Sequence, residues 1–411
     1  MIKLPAVLSI APLIFALVFL FSPSAEGSVI SKEVYEKVDE INRLADKGKY
    51  DKALSVLDSV SERESGRYET NLLLSMRAHI YSRMGKITES LEIYKTLLDK
   101  RGVSPQFRRA VVSAIAGIYF SEEKYTEAID FIDSNVRSPS LSENALKAFC
   151  FYKLGDYPRA AELMEKSVRG SSKPPENWLV VLQSIYRETE RPEKRIETAR
   201  KLVRLYPTRR NMLLLSNVYA ENGRPEKQMA MLKLVYEAGK LKKEKYLMLL
   251  SRLMFNRGLF LESAKIAEKG IKDGNIEKTA DNFEFIARGY KRSKERKKAV
   301  SPLKKAVKLA KDNKPCVELA ELYADIERWS DASRTAGKCF DKPDAGENHR
   351  LYIVKGRSLF NLGKIRKARE EFSRARDFKQ SETLALRWLI YIEAEEKRSK
   401  RLSEGGIKRR R

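Results

Sequence analysis

His79 and His349 are the only histidines among 411 residues, and any histidine-based metal site or activated nucleophile would have to use them. A catalytic zinc centre needs several nitrogen or sulfur ligands at one place, and a serine or cysteine nucleophile needs an imidazole within hydrogen-bond reach. Two imidazoles so far apart in sequence supply little for either. His79 follows a small residue on its helix, which reads as a packed or solvated histidine. No glycine-rich loop is arranged to cradle a phosphate, and Gly405-Gly406 belong to a flexible tail. The carboxylate pairs Glu122-Glu123 and Glu370-Glu371 are ordinary helix-surface charges. No catalytic, metal or cofactor site is predicted, so the chain is not expected to be an enzyme.

Compartment decides how the cysteines and the charge are read. Lys3, the apolar run Leu4 to Phe21 and the small residues Ser22 to Gly27 have the order of a secretory signal peptide, with Ala25-Glu26-Gly27 suited to cleavage. An uncleaved inner-membrane anchor is the competing reading, weakened by Pro12 within the run. The first 27 residues are therefore assigned to export, which places the rest outside the cytoplasm. In an oxidising compartment Cys316 and Cys339 either form a disulfide or remain two buried thiols; Cys150, between Phe149 and Phe151, reads as core. The formal charge of +26 implies acidic partners or a solvated basic surface, and export argues against nucleic acid.

The elements that would position these residues follow from a repeat. Gly48, Tyr50 and Ala53 open a signature that returns as Gly85, Ile87 and Ser90, then Glu123, Tyr125 and Ala128, then Gly155, Tyr157 and Ala160. Further copies end at Arg195, Gln228, Ser263, Ala299, Ala332 and Ala368, a spacing of about 35 residues held through ten copies. Nine residues before most of these anchors stands a large side chain, such as Tyr81, Phe151, Tyr219 or Tyr323. Twelve before, the residue is usually small, as at Ala78, Ala116, Ser251 and Gly356. Small residues on either side of a turn let two helices approach closely while the aromatic fills the space beside them. Apolar residues three and four apart, as in Leu91, Tyr94 and Leu98, give the helical period, and prolines fall between repeats. At Arg195 and Gln228 a long side chain replaces the small anchor, which predicts looser packing or a reshaped turn.

This pattern resembles the tetratricopeptide repeat family, whose unit is two antiparallel helices of about 34 residues. The resemblance implies an all-α fold, a right-handed superhelix (α-solenoid) of about ten helix-turn-helix repeats over residues 28–395; the run of Lys and Arg over 396–411 reads separately as a basic disordered tail. That tail either touches anionic lipid or keeps the chain soluble. In the expected register, residues eleven, eight and seven before each anchor line the concave face. They are Phe120, Phe149, Tyr152, Arg187, Asn217, Arg252, Phe255, Asn256, Arg288, Lys291, Arg292, Arg357, Phe360 and Asn361. Asparagines can hold a peptide backbone and arginines grip carboxylates bidentately. Arg252, Arg288, Lys291 and Arg292 thus suggest an acidic segment or C-terminal carboxylate as ligand, with Phe120, Phe149 and Tyr152 giving the earlier half an apolar groove. The competing reading is a polar inner face without a ligand.

A narrower resemblance rests on Lys173 to Trp178, Gly223 to Gln228, Glu327 to Ala332, Gly346 to His349 and Leu384 to Glu393. These segments are similar to the periplasmic repeat proteins that accompany bacterial TonB–ExbB–ExbD energy-transduction systems. The resemblance implies a non-catalytic periplasmic scaffold for protein–protein interactions, accessory to TonB-dependent outer-membrane transport, without cofactor. A scaffold for envelope biogenesis, secretion or cell-wall enzymes is the alternative.

Overall fold

A computed structural model of the chain describes residues 31–60, 66–340 and 348–404. The expected signal peptide over 1–27 and the tail residues 405–411 lie outside the described residues. Among the described residues there are twenty-one α-helices and no strand. They fall into ten pairs. The first five are α1 (Lys32–Asp46) with α2 (Tyr50–Asp58), α3 (Arg67–Arg83) with α4 (Ile87–Asp99), α5 (Pro105–Ser121) with α6 (Tyr125–Asn135), α7 (Leu141–Leu154) with α8 (Tyr157–Gly170), and α9 (Glu176–Glu188) with α10 (Pro192–Leu205). The next five are α11 (Arg209–Glu221) with α12 (Pro225–Glu237), α13 (Glu244–Asn256) with α14 (Phe260–Lys272), α15 (Ala280–Arg292) with α16 (Arg296–Leu309), α17 (Lys314–Asp325) with α18 (Trp329–Cys339), and α19 (Asn348–Asn361) with α20 (Ile365–Arg376). A single longer helix, α21 (Glu382–Glu404), follows. The chain divides into two compact units, one up to Asn211 and one from Met212.

Every anchor of the sequence repeat is the fourth residue of an even-numbered helix, from Ala53 to Ala368. The turn before it has one construction throughout. The residue five before the anchor takes a left-handed backbone: Gly48, Gly85, Gly155, Gly223, Gly258 and Gly363 do so without steric cost. Glu123, Glu190, Lys294 and Glu327 do so despite their Cβ, at φ 52–64°. The next amide donates back to the carbonyl of the large residue, as from Lys86 to Tyr81 (2.9 Å), Arg191 to Tyr186 (2.9 Å) and Arg328 to Tyr323 (2.8 Å). These bonds satisfy carbonyls that the end of a helix would otherwise leave open.

The small anchors are fully buried, Ala53, Ser90, Ala128, Ala160, Ser263, Ala299, Ala332 and Ala368 all at 0% exposure. They meet the residue twelve before them across the hairpin. Ser90 Oγ donates to Ala78 O at 2.6 Å, and Ser263 Oγ to Ser251 O at 2.7 Å. At Gly356 an added Cβ would stand 2.8 Å from the Phe372 ring, so only glycine fits against that ring. The two unusual anchors correct the expectation of a reshaped turn. Arg195 and Gln228 are each buried, and their amides make the same 3.0 Å bond to the residue four before as the small anchors do. At Arg195 the opposing position changes as well, while Gln228 faces the small Ser216. Where Arg195 replaces alanine, Gln183 stands twelve before it and accepts from Arg195 Nε at 3.3 Å.

Consecutive pairs are also joined by polar contacts between odd-numbered helices. Arg109 of α5 grips Glu143 of α7 with Nε to Oε1 at 3.0 Å and a second guanidinium nitrogen to Oε2 at 2.5 Å. Asn211 of α11 donates to Glu176 of α9 at 2.8 Å, and Asn282 of α15 to Glu244 of α13 at 3.3 Å. In all three the residue nineteen before one anchor meets the residue seventeen before the next. Buried apolar residues fill the space between layers, as with Ile41, Leu57, Leu72 and Ile80 in the first unit. In the second unit Leu250, Ile286, Leu303, Val317 and Leu351 belong to one core. Each such fully buried side chain contributes about 1.5–3 kcal/mol.

The helix α21 closes the stack. Its Trp388 lies parallel to Phe372 with ring centroids 5.1 Å apart, while Ala385 and Ile392 are buried. The helix runs on to Glu404, which corrects the expectation of a disordered tail from residue 396. Pairs one turn apart, Lys397 with Glu393 (2.6 Å) and Arg398 with Glu395 (3.5 Å), hold the basic residues in helical spacing.

Candidate peptide-binding face

The odd-numbered helices adjoin one another, α1 with α3, α5 with α7, α7 with α9 and α17 with α19, so their outward residues form a shared face within each unit. In the first unit this face carries Phe120, Phe149 and Tyr152. Phe120 and Phe149 are 5% and 4% exposed, with their rings 6.4 Å apart edge to face, and Phe120 also meets Tyr125 at 5.2 Å. Because the two rings pack on one another, the groove they line is narrow. What remains is a cleft of about 160 Å³ lined by those two rings together with Tyr125, half-buried Tyr152, Lys153 and Asn177. Arg187 beyond it is exposed and bound to the neighbouring Glu188.

In the second unit Asn217 on α11, Arg252 and Asn256 on α13, and Arg288 and Arg292 on α15 are all exposed. The predicted cationic cluster is not uniform. Lys291 Nζ pairs with Glu318 Oε2 of α17 at 3.4 Å, and the Arg292 guanidinium lies over the Phe260 ring at 5.5 Å. Arg252 and Arg288 make no ion pair among the described residues; they stand eleven residues before Ser263 and Ala299, on successive odd-numbered helices. Half-buried Phe255 lies three residues on from Arg252 and packs against Phe260 (4.9 Å) and Phe285 (5.6 Å). Two unpaired guanidinium groups beside an aromatic cluster can take up a carboxylate and a neighbouring apolar side chain.

An acidic boundary on α17 escaped the sequence reading. Glu321 occupies the same register as Arg252 and Arg288, and Arg350 of α19 grips it with Nε to Oε1 at 2.8 Å and a second contact at 2.5 Å. Glu318 takes Lys291, so α17 interrupts the basic strip and separates Arg357 from it. Arg357 is half-buried on α19, and its carbonyl accepts from Asn361 Nδ2 at 2.8 Å. Burial pushes the Glu284 carboxyl on α15 above its usual range, and the nearby acids Glu318, Asp281 and Asp312 add to the shift against Lys314. The register rule itself contained the signal, because the same count that selects Arg288 selects Glu321. Phe360, expected on the face, is half-buried against Trp388 (5.6 Å) and Tyr391 (5.5 Å) of the closing helix.

Cys316 of α17 and Cys339 of α18 are bonded to one another, with Cα atoms 5.8 Å apart, and Cys150 is a buried free thiol. That thiol is pushed up to about 12 by burial, which makes it a small apolar side chain rather than a nucleophile. His79 is packed. Burial, then the charge of Arg83, lower its imidazole to about 4 against a small opposing effect of Asp46, so it is neutral at pH 7. Among the described residues, no group of three His, Cys, Asp or Glu side chains is arranged to hold a metal ion. No helix among them is long and apolar enough to cross a membrane.

Fold and face together define an all-α solenoid of helix-turn-helix repeats. No family model matches the chain, and no curated protein matches it. Solved structures do. The chain is similar to PilW, a widely conserved type IV pilus biogenesis factor, at 12% identity over 55% of this chain and 100% of that one, with a TM-score of 0.41. A tetratricopeptide repeat protein from Parabacteroides merdae matches at 15% identity over 59% of this chain and 94% of its own, TM-score 0.37. YrrB, a TPR protein with an unusual peptide-binding site, matches at 15% identity over 47% and 97%, TM-score 0.37. Identities this low concern fold alone.

Proposed function

We propose that this protein is a non-catalytic scaffold that docks acidic peptide segments or C-terminal carboxylates on the odd-helix face of its second unit. The observation that carries this reading is the repeated pair Arg252 and Arg288, exposed, without carboxylate partners among the described residues, and beside the Phe255 cluster. A buried or clamped carboxylate gains most from guanidinium groups that have no competing acid. Asn217 and Asn256 on the same face offer donors and acceptors for a peptide backbone.

The setting proposed for this activity is the periplasm, where the chain would assist a TonB-type energy-transduction machine. The signal-like first 27 residues and the segments similar to TonB-associated repeat proteins support that setting, and a Cys316–Cys339 bridge suits an oxidising compartment. The test is a photo-crosslinking amino acid at Asn256 in cells, with captured proteins identified by mass spectrometry. Capture of TonB, ExbB or ExbD homologues, lost in an Arg252→Glu/Arg288→Glu variant, is the expected result. Capture of a wall synthase or secretion component overturns the TonB setting. Capture unchanged by charge reversal overturns the site.

A further inference from the structure

The even-numbered helices carry a second basic feature that the odd-helix face does not use. Between α14, α15 and α16 lies a cleft of about 830 Å³ whose lining includes Lys265, Lys269, Lys272, Lys278 and Lys305. Its floor is apolar: Ile271, Phe283, Ile286 and Pro302 line it, and all four are buried. Of the two acids in the lining, Asp273 is paired with Lys269 at 2.7 Å, while Glu268 accepts from the Tyr290 hydroxyl at 2.5 Å and keeps its charge, so five lysines face two carboxylates. Lys265, Lys272 and Lys278 make no ion pair among the described residues, and Lys305 has only the Phe283 ring, 5.4 Å from its Nζ. Ile286 is two residues from Arg288, hence about 160° round α15, so this cleft and the arginine pair lie on different sides of that helix.

Elsewhere on this chain basic side chains cover aromatic rings beside the turns. Arg159 lies over Phe151 at 4.4 Å, Lys194 over Tyr186 at 5.7 Å and Lys227 over Tyr219 at 5.9 Å. Those cations are accounted for by packing. Lys305 over Phe283 is of the same kind, but Lys265, Lys272 and Lys278 around the same concave apolar floor have neither a ring nor an ion pair among the described residues, and like charges held together repel unless an anion joins them. We infer that this cleft is a second docking site, for an acidic peptide segment that seats one large apolar side chain on Phe283, Ile286 and Pro302 and ranges its carboxylates among Lys265, Lys272, Lys278 and Lys305. A flat anionic bilayer would meet projecting lysines but would not reach a recessed floor, so the cleft's shape favours a peptide.

The test uses the full mature chain in an Arg252→Glu/Arg288→Glu background, so that failure of the odd-helix site and failure of this one are distinguishable. The probe is a fluorescein-labelled peptide, Asp-Glu-Asp-benzoylphenylalanine-Glu-Asp-Glu. Saturable anisotropy, weakened at least tenfold by adding Lys265→Glu/Lys305→Glu and less by Lys265→Gln/Lys305→Gln, is the expected outcome, with photo-crosslinks mapping to α15 and α16. Both variants change only the exposed side chains of Lys265 and Lys305, and circular dichroism checks that the helices persist. Unaltered peptide affinity in both lysine variants, or crosslinks outside α14–α16, overturns the site. So does the opposite pattern, in which the lysine variants abolish co-sedimentation with phosphatidylcholine/phosphatidylglycerol vesicles and leave peptide binding intact, because the cations would then serve a membrane surface.

Discussion

Arg195 of α10 donates its Nε to Gln183 of α9 across 3.3 Å, at the two positions where other repeats bring small residues together. Both side chains are buried, at 7% exposure each. A deviation in the anchor is thus matched twelve residues earlier, and the hairpin keeps its turn. Gln183→Ala is expected to cost about 1–3 kcal/mol because it removes an acceptor from a buried guanidinium. The double variant Gln183→Ala/Arg195→Ala is expected to cost less than the sum of the single ones, with a coupling of about 0.5–3 kcal/mol. Amide exchange in α9 and α10 measures this locally, and strict additivity would show that the two side chains act independently.

Glu143 makes the strongest of the three contacts between odd-numbered helices. It is almost fully buried, caps its own helix at Ser140, and accepts from Arg109 and the Ser113 hydroxyl. Burial alone would raise its carboxyl, but the Arg109 and Ser140 hydrogen bonds outweigh it and hold the group below its usual range. Its contribution is therefore present above the unfolded value near 4.3 and is lost as pH falls through the lower folded value. Glu143→Gln is expected to cost about 2 kcal/mol at pH 7, since it leaves Arg109 without its anion. Denaturant unfolding of the variant should approach that of the parent in strong acid; a gap that persists unchanged there would refute the ion pair as its source.

Four turns spend stability on a left-handed residue that is not glycine. Glu123→Gly and Lys294→Gly are each expected to stabilise by about 0.5–1 kcal/mol, the steric relief exceeding the added entropy of the unfolded chain. Gly85→Ala should act in the opposite direction by a similar amount. Melting temperatures of the three variants check this, and a fall for either glycine substitution would mean that those side chains contribute contacts that outweigh their strain.

His79 gives a second, separable pH dependence. Its folded value near 4 lies below the ordinary 6.5, so the unfolded chain takes up the proton first as pH falls. Stability is expected to decline from about pH 6.5 to 4 and then level off, by about 1–3 kcal/mol for this group. Its Nδ1 has no hydrogen-bond partner among the described residues, so His79→Gln should fold and flatten that part of the profile. An identical profile in the variant would assign the slope to other groups.

The bond between Cys316 and Cys339 closes a loop with a sequence separation of 23. Constraining the unfolded chain over such a loop contributes about 3 kcal/mol. Peptide mapping of unreduced protein from the cell envelope should find the linked pair, and reduction should lower the unfolding midpoint of α17 and α18 first. Two free thiols in that preparation would remove this stabilisation from the account.

The sequence by itself determined the helical repeat, because the constraints that create it are local. A left-handed residue, a large side chain and a small anchor must stand at set distances along one hairpin for two helices to touch. Counting from Ala53, Ser90 or Ala332 therefore locates every even-numbered helix. The same count placed Arg252, Arg288 and Asn256 on one face of the odd-numbered helices, and all three are exposed, since side-chain direction on a helix follows its period. What the count could not decide is which outward residues satisfy each other. Phe120 and Phe149 close on one another, Lys291 goes to Glu318, Phe360 goes to the closing helix, and Gln183 answers Arg195. The lysine cleft is of the same kind, because Lys265, Lys278 and Lys305 come from two helices and a connecting segment. Local spacing sets the helices and their turns, but neutralisation and burial depend on distances between side chains from different repeats. Only the tertiary structure supplies those.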